Sequence, residues 1–265
     1  MRILLLSEKF PPEIAGTRRA MDQVRLWAAA GHDVTVLTQV PNQPAGVIFP
    51  GWRNRLWQEE TWEGVRVIRI WTHPAPNTGV VRRTLDYVSY AVSATLQCWR
   101  LPAFDVILAS SPQIFVAVAG LLIGWLRRRP WVFEIRDLWP DSIRAVGASG
   151  SPLLWLVERM ELFLYARADR IVAVTEAFRD NLVERGVPSE KIDVIRNGID
   201  LDVFDRSRVR TGTREALRRR LGIGDEVILA AYIGTTGAAH GLGTVLEAAA
   251  LLRARPDVHF LIQGD

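Results

Sequence analysis

The chain has 265 residues, 49% of them hydrophobic and 23% charged, a composition that fits a folded globular protein and excludes a disordered one. Lys plus Arg number 33 against 29 Asp plus Glu, a formal net charge of +4 with the cations scattered along the chain, so nucleic acid is not an expected partner. The single cysteine, Cys98, excludes intrachain disulfides and a Cys-rich metal site and suits a reducing cytoplasm.

The first apolar run, residues 3–6, is too short for the core of a signal peptide and reads as a strand. A helical pattern over about 15–30 follows, with Gly31 as its stop, then a strand at 33–38, a long loop over 41–64 and a strand at 65–70. A helix near 82–100 leads to the uncharged stretch 106–126, followed by Arg127, Arg128 and Arg129, which has the length and flanking charge of a transmembrane span. Ser110, Ser111, Pro112 and Gln113 instead divide it into a short strand, 106–109, and a buried helix of about fourteen residues. The alternation continues with a strand at 131–135, a helix at 152–166, a strand at 170–174, a helix at 176–185 and a strand at 192–195. About seven strands alternating with helices predict an α/β domain with a doubly wound parallel sheet over residues 1–200.

After Asn197 the sequence turns polar, as in a linker, before a short basic helix in REALRRRLGI. One β-α-β unit then follows in VILAAYIG, a helix over about 242–253 and VHFLIQG. Residues 201–265 therefore read as a linker and the opening of a second Rossmann-like domain, with the sequence ending inside it.

In an open parallel sheet, ligands sit beyond the carboxyl ends of the strands, and four segments lie there. SEKFPPEIAG, residues 7–16, leads into a helix whose free N–H groups favour an anion, with Gly16 either contacting it or only permitting a tight turn. Glu134, Arg136, Asp137, Trp139 and Asp141 gather carboxylates, a cation and a ring that suit sugar hydroxyls and a sugar face, while capping of the next turn is the plainer role for the aspartates. Arg196 and Asn197 before Gly198 suit a phosphate or simply a turn. The Gly-rich loop 234–243, with Gly234, Thr235, Gly237, His240 and Gly241, suits a diphosphate at a helix entrance. The sequence lacks G-x-G-x-x-G, a Walker A lysine, G-x-S-x-G and paired His or Cys spacing, so dinucleotide, P-loop, serine hydrolase and metal readings find no motif.

These segments, in this order, resemble the retaining glycosyltransferases of the GT-B fold known as family 4. The resemblance is closest to the branch of exopolysaccharide, O-antigen and colanic-acid assembly, and it rests on FPPEIAGTRRA, FPGWRNRLWQEETWEGVRVIRIW, FEIRDLWPDSIRAVG, the segment from RADRIVAVTEAF to IRNGIDLDVF, and YIGTTGAAHGLGTVLEAAALL. It implies transfer of a sugar from a nucleotide-sugar donor, a UDP-sugar, to a lipid-linked or saccharide acceptor with retention, without an obligatory metal or other cofactor. It also implies Gly16 and the 234–243 loop as diphosphate contacts, and Asp137 as the polar residue near the transferring sugar. Where many members carry an Arg and a Lys, this sequence has Thr235, Thr236 and His240, so Arg196 is expected to meet part of the diphosphate charge. The family's E-x7-E region has no counterpart before Asp265, so weak or absent transfer by these residues alone is expected, and a non-catalytic sugar- or acceptor-binding module is the alternative.

A peripheral contact with the inner face of the membrane is a separate expectation. The 41–64 loop interleaves Trp52, Trp57 and Trp62 with Arg53 and Arg55, and Arg18, Arg19, Arg82 and Arg83 add charge for an anionic interface or a lipid-pyrophosphate acceptor, with Arg18 among the acceptor candidates. The plainer alternative is a loop folded against its own domain.

Overall fold

A run of three leucines buried in succession demands cover on both sides, which only a central strand has. In the computed structural model, which describes all residues except 14–15, 77–78, 139–151, 202–203, 211, 235, 238–239 and 265, this run is strand β1 (Arg2–Leu6), with Leu4, Leu5 and Leu6 fully buried. It pairs in parallel with β2 (Asp33–Gln39) on one side and β5 (Val106–Ser110) on the other. Beyond β2 lie β4 (Val65–Ile70) and β3 (Trp57–Trp62), and beyond β5 lie β6 (Trp131–Ile135), β7 (Arg170–Ala173) and β8 (Ile192–Val194), in the order β3-β4-β2-β1-β5-β6-β7-β8.

The direction of each crossover fixes the face its helix covers, because parallel connections are right-handed. The step from β1 to β2 runs one way, and its helix α1 (Arg18–Ala29) buries Ala20 and Val24 against Leu5. The steps from β4 through β8 run the other way. Their helices α2 (Val80–Leu96), α3 (Ile114–Arg127) and α4 (Pro152–Arg167) bring Tyr90, Ile123 and Leu164 into the core that holds Leu4 and Leu6, and α5 (Glu176–Glu184) adds Leu182. The order of connections therefore reverses at β1 and β5, and a crevice opens there at the carboxyl ends of the strands.

Two expectations change. The 41–64 segment is not all loop: β3 pairs antiparallel with β4 through Glu63 and Gly64, whose φ values of 48° and 82° make the tight two-residue turn that joins hairpin strands. The sheet accordingly has eight strands. The uncharged 106–126 stretch divides as expected, because the Gln113 side chain accepts from the Val116 N–H at 3.1 Å and so starts α3 afresh after β5. Among the described residues no helix is long and apolar enough to cross a membrane.

The chain divides into two compact units, the first reaching Gly198 and the second beginning at Ile199. In the second, the basic helix α6 (Thr213–Leu221) precedes β9 (Ile228–Ile233), which pairs in parallel with β10 (Val258–Gln263) across the helix α7 (Leu242–Leu251).

Candidate functional site

The loop after β1 is fastened to the end of β2. Glu13, buried, accepts the N–H groups of Asn42 and Gln43 at 2.9 Å each, and Thr17 donates to the Glu13 carbonyl at 2.8 Å. Gly16 sits at φ +76°, a conformation glycine adopts without steric cost, and its carbonyl accepts from the Arg136 guanidinium at 3.1 Å. The fold thus joins two of the expected site residues, 120 positions apart in sequence.

Arg19, in the first turn of α1, holds the strand ends together. Its Nε donates to Glu134 Oε1 at 2.8 Å, and its terminal nitrogens donate to Asn197 Oδ1 at 2.9 Å and the Ile195 carbonyl at 3.0 Å. Glu134 is fully buried, and Gln23 at 2.6 Å and Ser110 at 2.5 Å complete its shell. Both Glu134 oxygens are therefore engaged within the protein, and its role here is that of a strut between β6 and α1. Arg18, named as an acceptor contact, lies on the outer side of α1 and pairs with Asp22 at 2.9 Å. Both arginines were visible in the sequence, but only the rotation of α1 against the sheet separates them.

Beyond the strut, the Arg136 N–H donates to Ser111 Oγ at 2.7 Å, and burial draws the guanidinium pKa down while Glu134 draws it up. Asp137 reaches solvent, yet the strand ends crowd its carboxyl enough that desolvation raises its pKa, with Arg136 opposing. Arg196 is exposed and lies 3.6 Å from Glu176. Trp139, Asp141 and Thr235 lie outside the described residues.

In the second unit, Gly234 donates its N–H to the Gln263 carbonyl at 3.0 Å, and Gly241, at φ +58°, is the N-cap of α7. The His240 N–H donates to the Gly237 carbonyl at 3.0 Å while its ring meets Tyr232 edge-on at 6.1 Å. Gly234, Gly237, His240 and Gly241 therefore form one loop at a helix entrance.

A second polar group was not anticipated. Glu8, Glu13 and Asp86 are all buried near the ends of β1 and β2. Burial, and then the charge of Asp86, pushes the Glu8 carboxyl up to about 8, and burial pushes Asp86 up to about 7. A lone acid in the apolar pattern LDYVSYAV was the signal that could have marked Asp86.

The 41–64 tryptophans turn inward. Arg69 stacks 4.3 Å from the Trp52 ring, Arg100 lies 4.6 Å from Trp57, and Trp62 meets Phe10 at 5.0 Å and Arg25 at 5.1 Å. The segment is folded against its own domain.

A model of the glycosyl transferase 4-like domain matches residues 15–198, the span that carries Gly16, Arg19, Glu134, Arg136, Asp137 and Asn197. The chain belongs to this family. It is 26% identical over 272 residues to WcaI of Escherichia coli (strain K12), assigned to colanic acid biosynthesis as a glycosyl transferase, with 99% of this chain covered. Among solved structures, Anabaena HepE in complex with UDP and glucose superposes with a TM-score of 0.63 at 16% identity over 99% of this chain. WaaG, a glycosyltransferase involved in lipopolysaccharide biosynthesis, superposes at 0.59 with 17% identity over 99% of it. These likenesses identify the Rossmann-like α/β architecture of GT-B glycosyltransferases. The chain spans 65% of the length of WcaI and 60% of the HepE chain.

Proposed function

We propose that the whole protein transfers a sugar, with retention, from a UDP-sugar to a saccharide or lipid-linked acceptor in cell-surface polysaccharide assembly, with peripheral contact to the inner face of the membrane. The observation that carries this reading is the hydrogen bond from Arg136, the neighbour of Asp137 in the chain, to the Gly16 carbonyl at the carboxyl ends of the strands in a member of this family. WcaI is named for colanic acid biosynthesis and HepE is seen with UDP and glucose, which supports the substrate class.

The chemistry required is to stabilise a departing diphosphate while a new glycosidic bond forms. Thr17 turns its hydroxyl back to the Glu13 carbonyl and does not cap α1, so the α1 N-terminus keeps its positive dipole end for an anion beside Gly16. Arg196 supplies a cation in the first unit, and in the second unit the loop from Gly234 to Gly241 presents the α7 N-terminus to a diphosphate, a means of meeting its charge without a metal. Asp137 stands beside the transferring sugar, where its carboxylate accepts a hydrogen bond from a hydroxyl.

The test is acceptor-dependent UDP release by the whole protein on a panel of UDP-sugars, with and without a chelator, and with the product anomer read by NMR. Asp137→Asn is expected to lower kcat at least about tenfold. Saccharide binding without UDP release from any donor would favour the alternative, a non-catalytic acceptor-binding module.

A further inference from the structure

Helix α2 has two apolar faces. Tyr90, Ala91 and Ala94 are buried in the core, whereas Val81, Leu85, Val88, Val92 and Leu96, spaced by three and four residues, form a stripe along the outer side. Leu85, Val92 and Leu96 are 51%, 52% and 76% exposed along a helix about 25 Å long. A cavity of about 650 Å³ runs beside the stripe, walled by Leu56, Trp71 and His73 as well as by Leu85, Val92 and Leu96. Trp99, in the turn Cys98–Arg100, is 69% exposed, and Trp125 on the neighbouring α3 is 75% exposed.

Arginine outnumbers acid along the segment that carries this face. Residues 80–129 contain six arginines and two acids. Of the acids, Asp86 is buried and Asp105 is paired with Arg2 at 2.6 Å. Arg127 lies 5.8 Å from the Trp99 ring and Arg100 lies 4.6 Å from Trp57, so cations ride on aromatic bodies at the edge of the apolar stripe.

We propose that this face seats the protein on an anionic lipid bilayer, with the α2 stripe entering the boundary between headgroups and acyl chains and the arginines meeting lipid phosphates. The proposal rests on the peripheral-contact reading above and moves the contact from the 41–64 tryptophans, which are turned inward, to α2 and the end of α3. Charge decides against a second copy as occupant, because a two-fold pairing of this face would bring two arginine-rich surfaces together. An anionic bilayer supplies the apolar depth and the opposite charge together.

Co-sedimentation of the full chain with phosphatidylcholine vesicles, with and without phosphatidylglycerol, tests this. The wild type is expected to pellet with the anionic vesicles alone. Leu85→Glu and Val92→Glu are each expected to weaken partitioning about tenfold, while Leu26→Glu, on exposed α1 across the sheet, leaves it unchanged. Quenching of tryptophan emission by brominated lipid, diminished by Trp99→Phe and Trp125→Phe, gives the same reading without a new charge. Wild-type protein that stays in the supernatant overturns the peripheral-contact reading itself. Vesicle binding that survives the two glutamate substitutions overturns only its placement on α2. A dimer abolished by those substitutions, with no vesicle binding, assigns the face to a second copy instead.

Discussion

Replacing Arg19 by Met removes the cation from a pair whose side chains are 9% and 0% exposed, joined at 2.8 Å. Breaking a buried ion pair from one side costs about 3–5 kcal/mol, because the remaining charge keeps its desolvation penalty. Glu134 retains Gln23 and Ser110 as donors, which places the cost near the lower end, at about 3 kcal/mol. The Asn197 side chain and the Ile195 carbonyl lose their Arg19 donor as well. All ten tryptophans precede Gly198, so urea unfolding followed by tryptophan emission reports on the first unit alone. A double-mutant cycle with Glu134→Gln should give a coupling of about 1.5 kcal/mol or more. Arg18→Ala, which removes a half-exposed pair with Asp22 at 2.9 Å on the same helix, should cost no more than about 1 kcal/mol. A loss below about 1 kcal/mol for Arg19→Met would put this pair in the range of a surface salt bridge and refute the strut.

Two further outcomes are expected. Burial lifts Glu8 from its ordinary 4.5 to about 8, so the folded state holds a proton that the unfolded chain releases. The stabilisation this gives is complete below about pH 4.5 and is lost as the pH rises through about 8, on the order of a few kcal/mol. Glu8→Gln should flatten that decline in denaturation midpoints measured across the window, and an unchanged slope would remove Glu8 as its source. Gly120→Ala places a Cβ 2.8 Å from that of Ala109 and 3.1 Å from the Trp131 ring, and should cost about 1–3 kcal/mol of stability in the same unfolding assay.

The sequence by itself determined the alternation of strands and helices, the parallel sheet and the family, because these follow from local apolar periodicity and short contiguous motifs. The burial of Leu4, Leu5 and Leu6 was legible in ILLL, and the start of α3 in SSPQ. β3 was not, since WQEETW alternates only loosely and becomes a strand by pairing with β4 across the Glu63-Gly64 turn. The candidate site was legible as residue types at strand ends, but tertiary structure alone decided their roles. Arg18 and Arg19 are adjacent and chemically identical, and the rotation of α1 sends one to solvent and the other to Glu134 and Asn197. Glu8, in the loop after β1, and Asp86, on α2, lie far apart in sequence, and the charge of Asp86 reaches Glu8 only once α2 packs near that loop. The tryptophans of the 41–64 segment looked suited to an interface, yet Arg69, Arg100 and Phe10 claim them, and the exposed apolar stripe belongs to α2. Pattern along the chain fixes which elements form, whereas burial and partnership depend on residues far apart in sequence meeting at hydrogen-bond distance.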